Sequence, residues 1–205
     1  MSLFITFEGG EGSGKSTQIA SLFKKLNVIN SGSVTLTREP GGTSLGEYLR
    51  NTLKWTDAYI SPETELLLFN ASRAQLINEI IKPELIKGKI VVCDRYTDST
   101  IAYQGYGRGL DVEIVKSVNN TAAQGLKPNL TILLDISPEQ GFSRIQERLK
   151  DRFEKEDMSF HQRVREGYLR LANDEPQRWL VIDAGLSKER IKQIIWQKVS
   201  SLMSK

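Results

Sequence analysis

Gly9-Gly10-Glu11-Gly12-Ser13-Gly14-Lys15-Ser16 follows the apolar run Leu3-Phe4-Ile5-Thr6-Phe7 and opens onto a segment with apolar residues at helical spacing. That order predicts a strand, a phosphate-cradling loop and a helix. Bare amides at Gly12 and Gly14 can converge on a β-phosphate, Lys15 can reach between the β- and γ-phosphates, and Ser16 offers a hydroxyl to Mg²⁺. The stretch reads as a site for a nucleoside triphosphate. A Gly-rich turn joining strand to helix is the plainer alternative, and the strand and helix around it argue for the phosphate loop.

A chain of 205 residues suits one well-buried α/β domain, and its six Pro and 16 Gly are scattered as punctuation rather than gathered into a linker. No internal repeat is visible. With 28 basic and 25 acidic residues the formal charge is +3, too balanced for a nucleic-acid surface. Trp55, Trp179 and Trp196 are not interleaved with Arg or Lys as a base-stacking platform requires. The start lacks a basic region and reaches Glu8 early, and no apolar run is long enough to span a bilayer. A cytoplasmic protein without a membrane partner is the expectation. Cys93, the only cysteine, sits in the apolar run Ile90-Val91-Val92-Cys93 and reads as a small core residue.

Short apolar strands are predicted at 3–8, 34–37, 90–93, 130–136 and 179–183. Helical patterns fall between them at 15–30, 44–53, 62–87, 97–104, 111–124, 138–149, 155–174 and 187–203. Unalternating strands separated by helices make a parallel sheet covered on both faces. Ligands of such sheets sit beyond the carboxyl ends of the strands, so the motifs are read there.

The second strand ends in Thr37-Arg38-Glu39-Pro40-Gly41-Gly42-Thr43, where Pro40 and the glycines force a turn that holds Arg38 and Glu39 at the strand end. The third ends in Asp94-Arg95-Tyr96. Its carboxylate can bind Mg²⁺ through water, and Arg95 is a planar fork suited to a phosphate monoester. Spacing alone leaves open an ordinary charged turn at the first motif and a structural ion pair at the second.

Arg95, Ser99 and Tyr103 recur every four residues, which predicts one helical stripe carrying a guanidinium, a hydroxyl and a ring. Phe69 and Arg73 share that spacing, so a planar base can stack on the ring while its exocyclic oxygen accepts from the guanidinium, although Phe69 by itself reads sooner as core than as a ligand platform. Gln104 adds an amide able to read a base edge. The run Arg144-Ile145-Gln146-Glu147-Arg148-Leu149-Lys150-Asp151-Arg152 reads as a cover that closes over phosphates, or as a solvated charged face. Asp183-Ala184-Gly185 can line a donor purine with backbone groups.

Taken together, Phe7-Glu8-Gly9 through Thr17, Thr37 to Thr43, Phe69-Asn70-Ala71-Ser72-Arg73-Ala74-Gln75, Asp94-Arg95-Tyr96, Ser99-Thr100, Ala102 to Gly105 and Asp151-Arg152-Phe153-Glu154 resemble the bacterial thymidylate kinase family. The match runs along essentially the whole chain. The resemblance implies a P-loop nucleoside-monophosphate-kinase fold with a central five-stranded parallel sheet, flanking helices and an arginine-bearing lid near 144–156. It further implies a Mg²⁺-dependent homodimer that transfers the γ-phosphoryl group of ATP to dTMP, a step in dTTP synthesis.

Residue by residue, the resemblance implies that Gly9, Gly10, Glu11, Gly12, Ser13, Gly14, Lys15, Ser16 and Thr17 hold the donor phosphates, with Arg144 and Ala184 near adenine. Arg95 would hold the dTMP phosphate, Phe69 stack on thymine, and Arg73 donate to its O4. Ser99 and Gln104 would lie at the remaining edge, and Tyr103 against the deoxyribose. Glu8 would approach the 3′-hydroxyl or the metal, with Ser16, Asp94 and Glu39 in the metal and water shell. The loop positions Glu11, Gly12 and Ser13 contain no arginine, so the catalytic cation is expected from the cover, at Arg148 or Arg152. A related nucleoside or nucleotide kinase would keep the same loop, but Arg95 and the Phe69/Arg73 pair favour an acceptor already bearing phosphate. A GTP switch would need an Asn-Lys-x-Asp segment, which the chain lacks.

Overall fold

The computed structural model describes residues 2–29, 32–145 and 150–203. The apolar runs form β1 (Leu3–Glu8), β2 (Val34–Arg38), β3 (Ile90–Asp94), β4 (Leu130–Asp135) and β5 (Trp179–Asp183). They pair in parallel in the order β2-β3-β1-β4-β5, the five-stranded sheet that the resemblance implies. A central strand of such a sheet is covered on both faces, and β1 is buried along its whole length.

The helices are α1 (Lys15–Ile29), α2 (Ser44–Trp55), α3 (Pro62–Leu76), α4 (Lys82–Ile86), α5 (Thr97–Thr100), α6 (Val112–Ala123), α7 (Pro138–Ser143), α8 (Met158–Asp174) and α9 (Lys188–Met203). Their starts follow capping chemistry: Thr43, Ser61, Ser137 and Asp157 accept from amides of the first turns of α2, α3, α7 and α8. Pro62 and Pro138, which have no amide hydrogen to satisfy, open α3 and α7.

Side chains alternate along a strand, and β1 shows what that fixes for the site. Leu3, Ile5 and Phe7 pack on Ile19, Leu22 and Leu26 of α1 and Ile191, Ile195 and Val199 of α9. Phe4 packs on the other face with Val91, Cys93, Leu76 and Tyr96. Thr6 and Glu8 share that second face, where Thr6 Oγ1 meets Thr131 Oγ1 at 2.9 Å. Glu8 is therefore directed toward α5 and α8, away from the helix that the phosphate loop feeds.

Four helices depart from their predicted extents, and the one expected over 155–174 starts only at Met158, after the Asp157 cap. The segment expected as one helix over 62–87 is α3 and α4 joined by a π-turn at Ile77–Ile81, just before Pro83, which has no amide to continue the ladder. The helix expected over 97–104 continues to Gly107 as a second π-helical segment, Ile101–Gly107, carrying Tyr103 and Gln104. The helix expected over 138–149 stops at Ser143, where Arg144 caps it. Residues 146–149, and with them Arg148, lie outside the described residues.

Candidate active site

β2, β3 and β1 end side by side, with Arg38 paired to Asp94 and Asp94 to Phe7. Beyond these ends opens a cleft of about 620 Å³. Its floor is the phosphate loop from Glu11 to Thr17, and its walls carry Arg38, Glu39, Arg50, Phe69, Arg73 and Arg95. One cavity thus joins the expected donor and acceptor residues.

Within the loop, Lys15 Nζ donates to the carbonyls of Gly9 (2.9 Å) and Gly10 (2.8 Å) and to Ser13 Oγ (3.3 Å). Burial, and then the neighbouring Arg95 charge, lower the ammonium to about 8. Ser16 and Thr17 stay exposed at the cleft. The loop rests on α7: a Cβ on Gly12 would meet the Gly141 carbonyl oxygen at 1.9 Å, and one on Gly141 the Glu11 carbonyl oxygen at 2.3 Å. Two glycines permit that backbone-to-backbone approach. On the same side, Arg144 Nη1 donates to the Ala184 carbonyl at 2.9 Å, so the two residues expected near adenine meet.

Arg95 is not the first member of a helical stripe. It precedes α5 with φ 69°, a left-handed backbone uncommon for any residue but glycine and a form of strain that gathers at functional sites. The three stripe residues nevertheless converge. Arg95 Nη1 donates to Ser99 Oγ (3.2 Å) and Tyr168 Oη (3.0 Å), and its guanidinium carbon lies 5.1 Å from the Tyr103 ring centroid. Nη2 donates to Glu11 at 2.9 Å. Burial acts to raise the Glu11 carboxyl, but Arg95 and Lys15 outweigh it and hold it below its ordinary value.

Glu8 does not reach the cleft. It is 0% exposed, and its two oxygens accept from Tyr96 N (2.8 Å), Ser99 Oγ (2.5 Å) and Tyr168 Oη (3.0 Å). The alternation of β1 directs it toward Arg95, where it supports the two hydroxyls, Ser99 and Tyr168, that hold that arginine. Burial first, and Asp98 second, push its carboxyl up to about 7.

Arg73 is 1% exposed and fully engaged. Nε and Nη2 donate to Glu39 Oε2 at 2.8 and 2.6 Å, Nη1 to Asn70 and Asn119, and Nη2 also to Thr100. These five bonds match its five N–H groups. Glu39 belongs to this cage, and its second oxygen, buried, has no partner. Phe69 faces the Phe153 ring at 5.7 Å, and Gln104 Nε2 donates to Glu65 at 2.7 Å. Asp94 lines the cleft with one buried oxygen, Oδ1, unpaired. Arg152 is held on Glu65 at 2.5 Å and does not line the cleft.

A sequence model described as thymidylate kinase matches residues 7–195. The chain belongs to the thymidylate kinase family. A thymidylate kinase of Dehalococcoides mccartyi (strain CBDB1) is 54% identical over 204 residues, 99% of this chain and 98% of that protein. One from Deinococcus radiodurans is 47% identical over 199 residues, 97% of this chain and 96% of that protein. Among solved structures, thymidylate kinase from Ehrlichia chaffeensis superposes with a TM-score of 0.76 at 41% identity, covering 88% of this chain and 92% of that one.

The thymidylate kinase site of this chain holds groups that sequence reading did not single out. Arg50, on α2, donates Nη1 to the Pro40 carbonyl at 2.9 Å and faces the cleft; its place after the strand-end turn was the available signal. Tyr168 reaches Arg95 from α8, 73 residues away, and no local pattern announces it. Phe153 lines the cleft, 5.7 Å from Phe69 between ring centroids, from within the segment expected to be a cover.

Proposed function

We infer that this chain catalyses ATP-dependent phosphorylation of dTMP to dTDP. The observation that carries this reading is a single cleft holding both a phosphate loop, with Lys15 and Ser16, and the Arg95 fork. The phosphate of dTMP is already ionised and can attack in line, so positioning and charge neutralisation dominate and no strong general base is required.

Lys15 leaves the loop carbonyls to take donor oxygens, and Arg95 exchanges Glu11 for the acceptor phosphate. Arg38 and Arg50, which also line the cleft, add positive charge to that subsite. Arg73 reaches thymine O4 by yielding one of its partners, and the neutral Thr100 hydroxyl costs less to release than Glu39. Phe69 stacks on the base, Gln104 lies at its edge, and Tyr103, whose buried hydroxyl lacks a partner, faces the sugar. The adenine end lies at Arg144 and Ala184.

The unpaired Asp94 oxygen and the exposed Ser16 hydroxyl fit an oxygen-seeking divalent cation, and these are the residues we assign to Mg²⁺. Bound there with the nucleotide, it neutralises phosphate charge. We assign the catalytic arginine to the cover, at Arg148. A homodimer accords with the exposed apolar side chains Leu45, Tyr48 and Leu67 on α2 and α3. No described helix is long and apolar enough to cross a membrane, and we place the reaction among the cytoplasmic nucleotide pools.

An ADP-release assay with dTMP, dUMP and thymidine as acceptors tests the reading. Turnover is expected with dTMP and not with thymidine, which offers no phosphate to Arg95. Preference for thymidine would overturn it.

A further inference from the structure

The segment 151–156 is fastened to the body of the protein by five contacts. Lys54 Nζ meets Asp151 Oδ2 at 2.8 Å, and Arg152 N donates to the Lys54 carbonyl at 3.1 Å. The Arg152 side chain donates to the Leu53 carbonyl at 3.0 Å and to Glu65 at 2.5 Å. Arg108 bridges Glu65, at 3.2 Å, to Glu156, at 2.6 Å. The turn is also closed on itself. Asp151 Oδ1 accepts from the amides of Phe153 and Glu154, while Glu154 accepts from the Asp151 amide.

Glu65 stands at the centre of this arrangement. It lies on α3, 0% exposed, and receives Gln104 on one oxygen, Arg152 on the other and Arg108 on both. A buried carboxylate so placed needs its cations, because losing one leaves charge uncompensated in the interior. The same anchoring sets two groups of the acceptor pocket. Gln104 is oriented through its amide, and Phe153 is seated 5.7 Å from Phe69 and 6.0 Å from Tyr103 between ring centroids.

We propose that Glu65 and Arg152 are positioning residues that latch residues 151–156 as a fixed wall of the acceptor-base pocket, and that Arg152 does not touch the transferring phosphoryl group. The inference rests on the dTMP kinase reading above. A phosphoryl-bridging arginine must face the phosphate loop; this one is spent on α2 and α3 and is absent from the cleft lining.

The test is steady-state kinetics of the full chain for wild type, Arg152→Ala, Glu65→Gln and the double variant, with both substrates varied. Wild-type turnover of dTMP checks the underlying reading first. The latch predicts that each single variant raises KM for dTMP by about tenfold or more, leaves KM for ATP unchanged and keeps kcat within about threefold. The double variant is expected to be no worse than the poorer single, because both remove one link. A fall in kcat beyond about a hundredfold for Arg152→Ala, an unchanged KM for dTMP, or independent addition of the two effects each overturns it. Should Glu65→Gln fail to fold, Arg152→Lys decides. A lysine that still reaches Glu65 restores KM for dTMP toward wild type under the latch, whereas a transition-state role predicts lost kcat with KM unaltered.

Discussion

Tyr168 Oη lies 3.0 Å from Arg95 Nη1 and 3.0 Å from Glu8 Oε2, so one hydroxyl from α8 accepts from the strained arginine and donates to the buried carboxylate. Ser99 repeats the arrangement from α5, 2.7 Å from the same hydroxyl. Both hydroxyls hold Arg95 in place while leaving its Nη2 side on the cleft. Tyr168→Phe keeps the ring and removes only this link. A loss of roughly tenfold in kcat/KM for dTMP is expected, the worth of one hydrogen bond to a charged group. Kinetics at constant ATP check it, and an unchanged value would show that Arg95 needs no such support.

Lys15→Met removes the loop's only ammonium while preserving the length of the side chain. Its loss should lower kcat by about 10²-fold or more, since a cation aimed at the developing charge acts mainly in the transition state. Circular dichroism should show an unchanged fold. Turnover near that of wild type would contradict the assignment of the loop to donor phosphates.

Gly141→Ala would place a methyl group 2.3 Å from the Glu11 carbonyl oxygen. Neither partner is a flexible side chain, so the phosphate loop must shift. KM for ATP is expected to rise by about tenfold or more, with a lowered unfolding midpoint, in line with overpacking elsewhere. A variant with normal ATP kinetics would mean that α7 does not set the loop position.

The raised Glu8 carboxyl makes a prediction about stability. Its value in the folded chain, about 7, lies above the ordinary 4.5, so between these values the native state keeps a proton that the unfolded chain has lost. Stability from this group is full below about 4.5 and declines as pH rises through about 7. Urea unfolding at pH 5 and pH 8 should therefore show wild type losing stability relative to Glu8→Gln, by at most roughly 3 kcal/mol. Parallel behaviour of the two proteins would place the ionised carboxylate at no disadvantage.

The strands could be read from the chain because each is a short unbroken apolar run, and each predicted boundary falls within one residue of the observed one. That Lys15 and Arg95 line one cleft was legible for a related reason: glycines or a strand end mark their positions locally. The partners of Glu8 were not legible, because its neighbours in sequence belong to the phosphate loop whereas its hydrogen bonds run to Tyr96, Ser99 and Tyr168. The Arg73 cage and the Glu65 cluster join residues 34 and 87 positions apart, and hydrogen bonds of that span leave no periodicity to detect. The helix expected to reach 149 ends at Ser143, with Arg144 as its C-cap.

The most direct test of the whole account is kcat/KM for dTMP with Arg95→Ala beside wild type, followed by ADP release at saturating ATP. If Arg95 holds the acceptor phosphate, the variant should lose about 10³-fold or more in kcat/KM, roughly 4 kcal/mol of transition-state stabilisation, while remaining folded. A folded variant that phosphorylates dTMP within about tenfold of wild type would contradict the account.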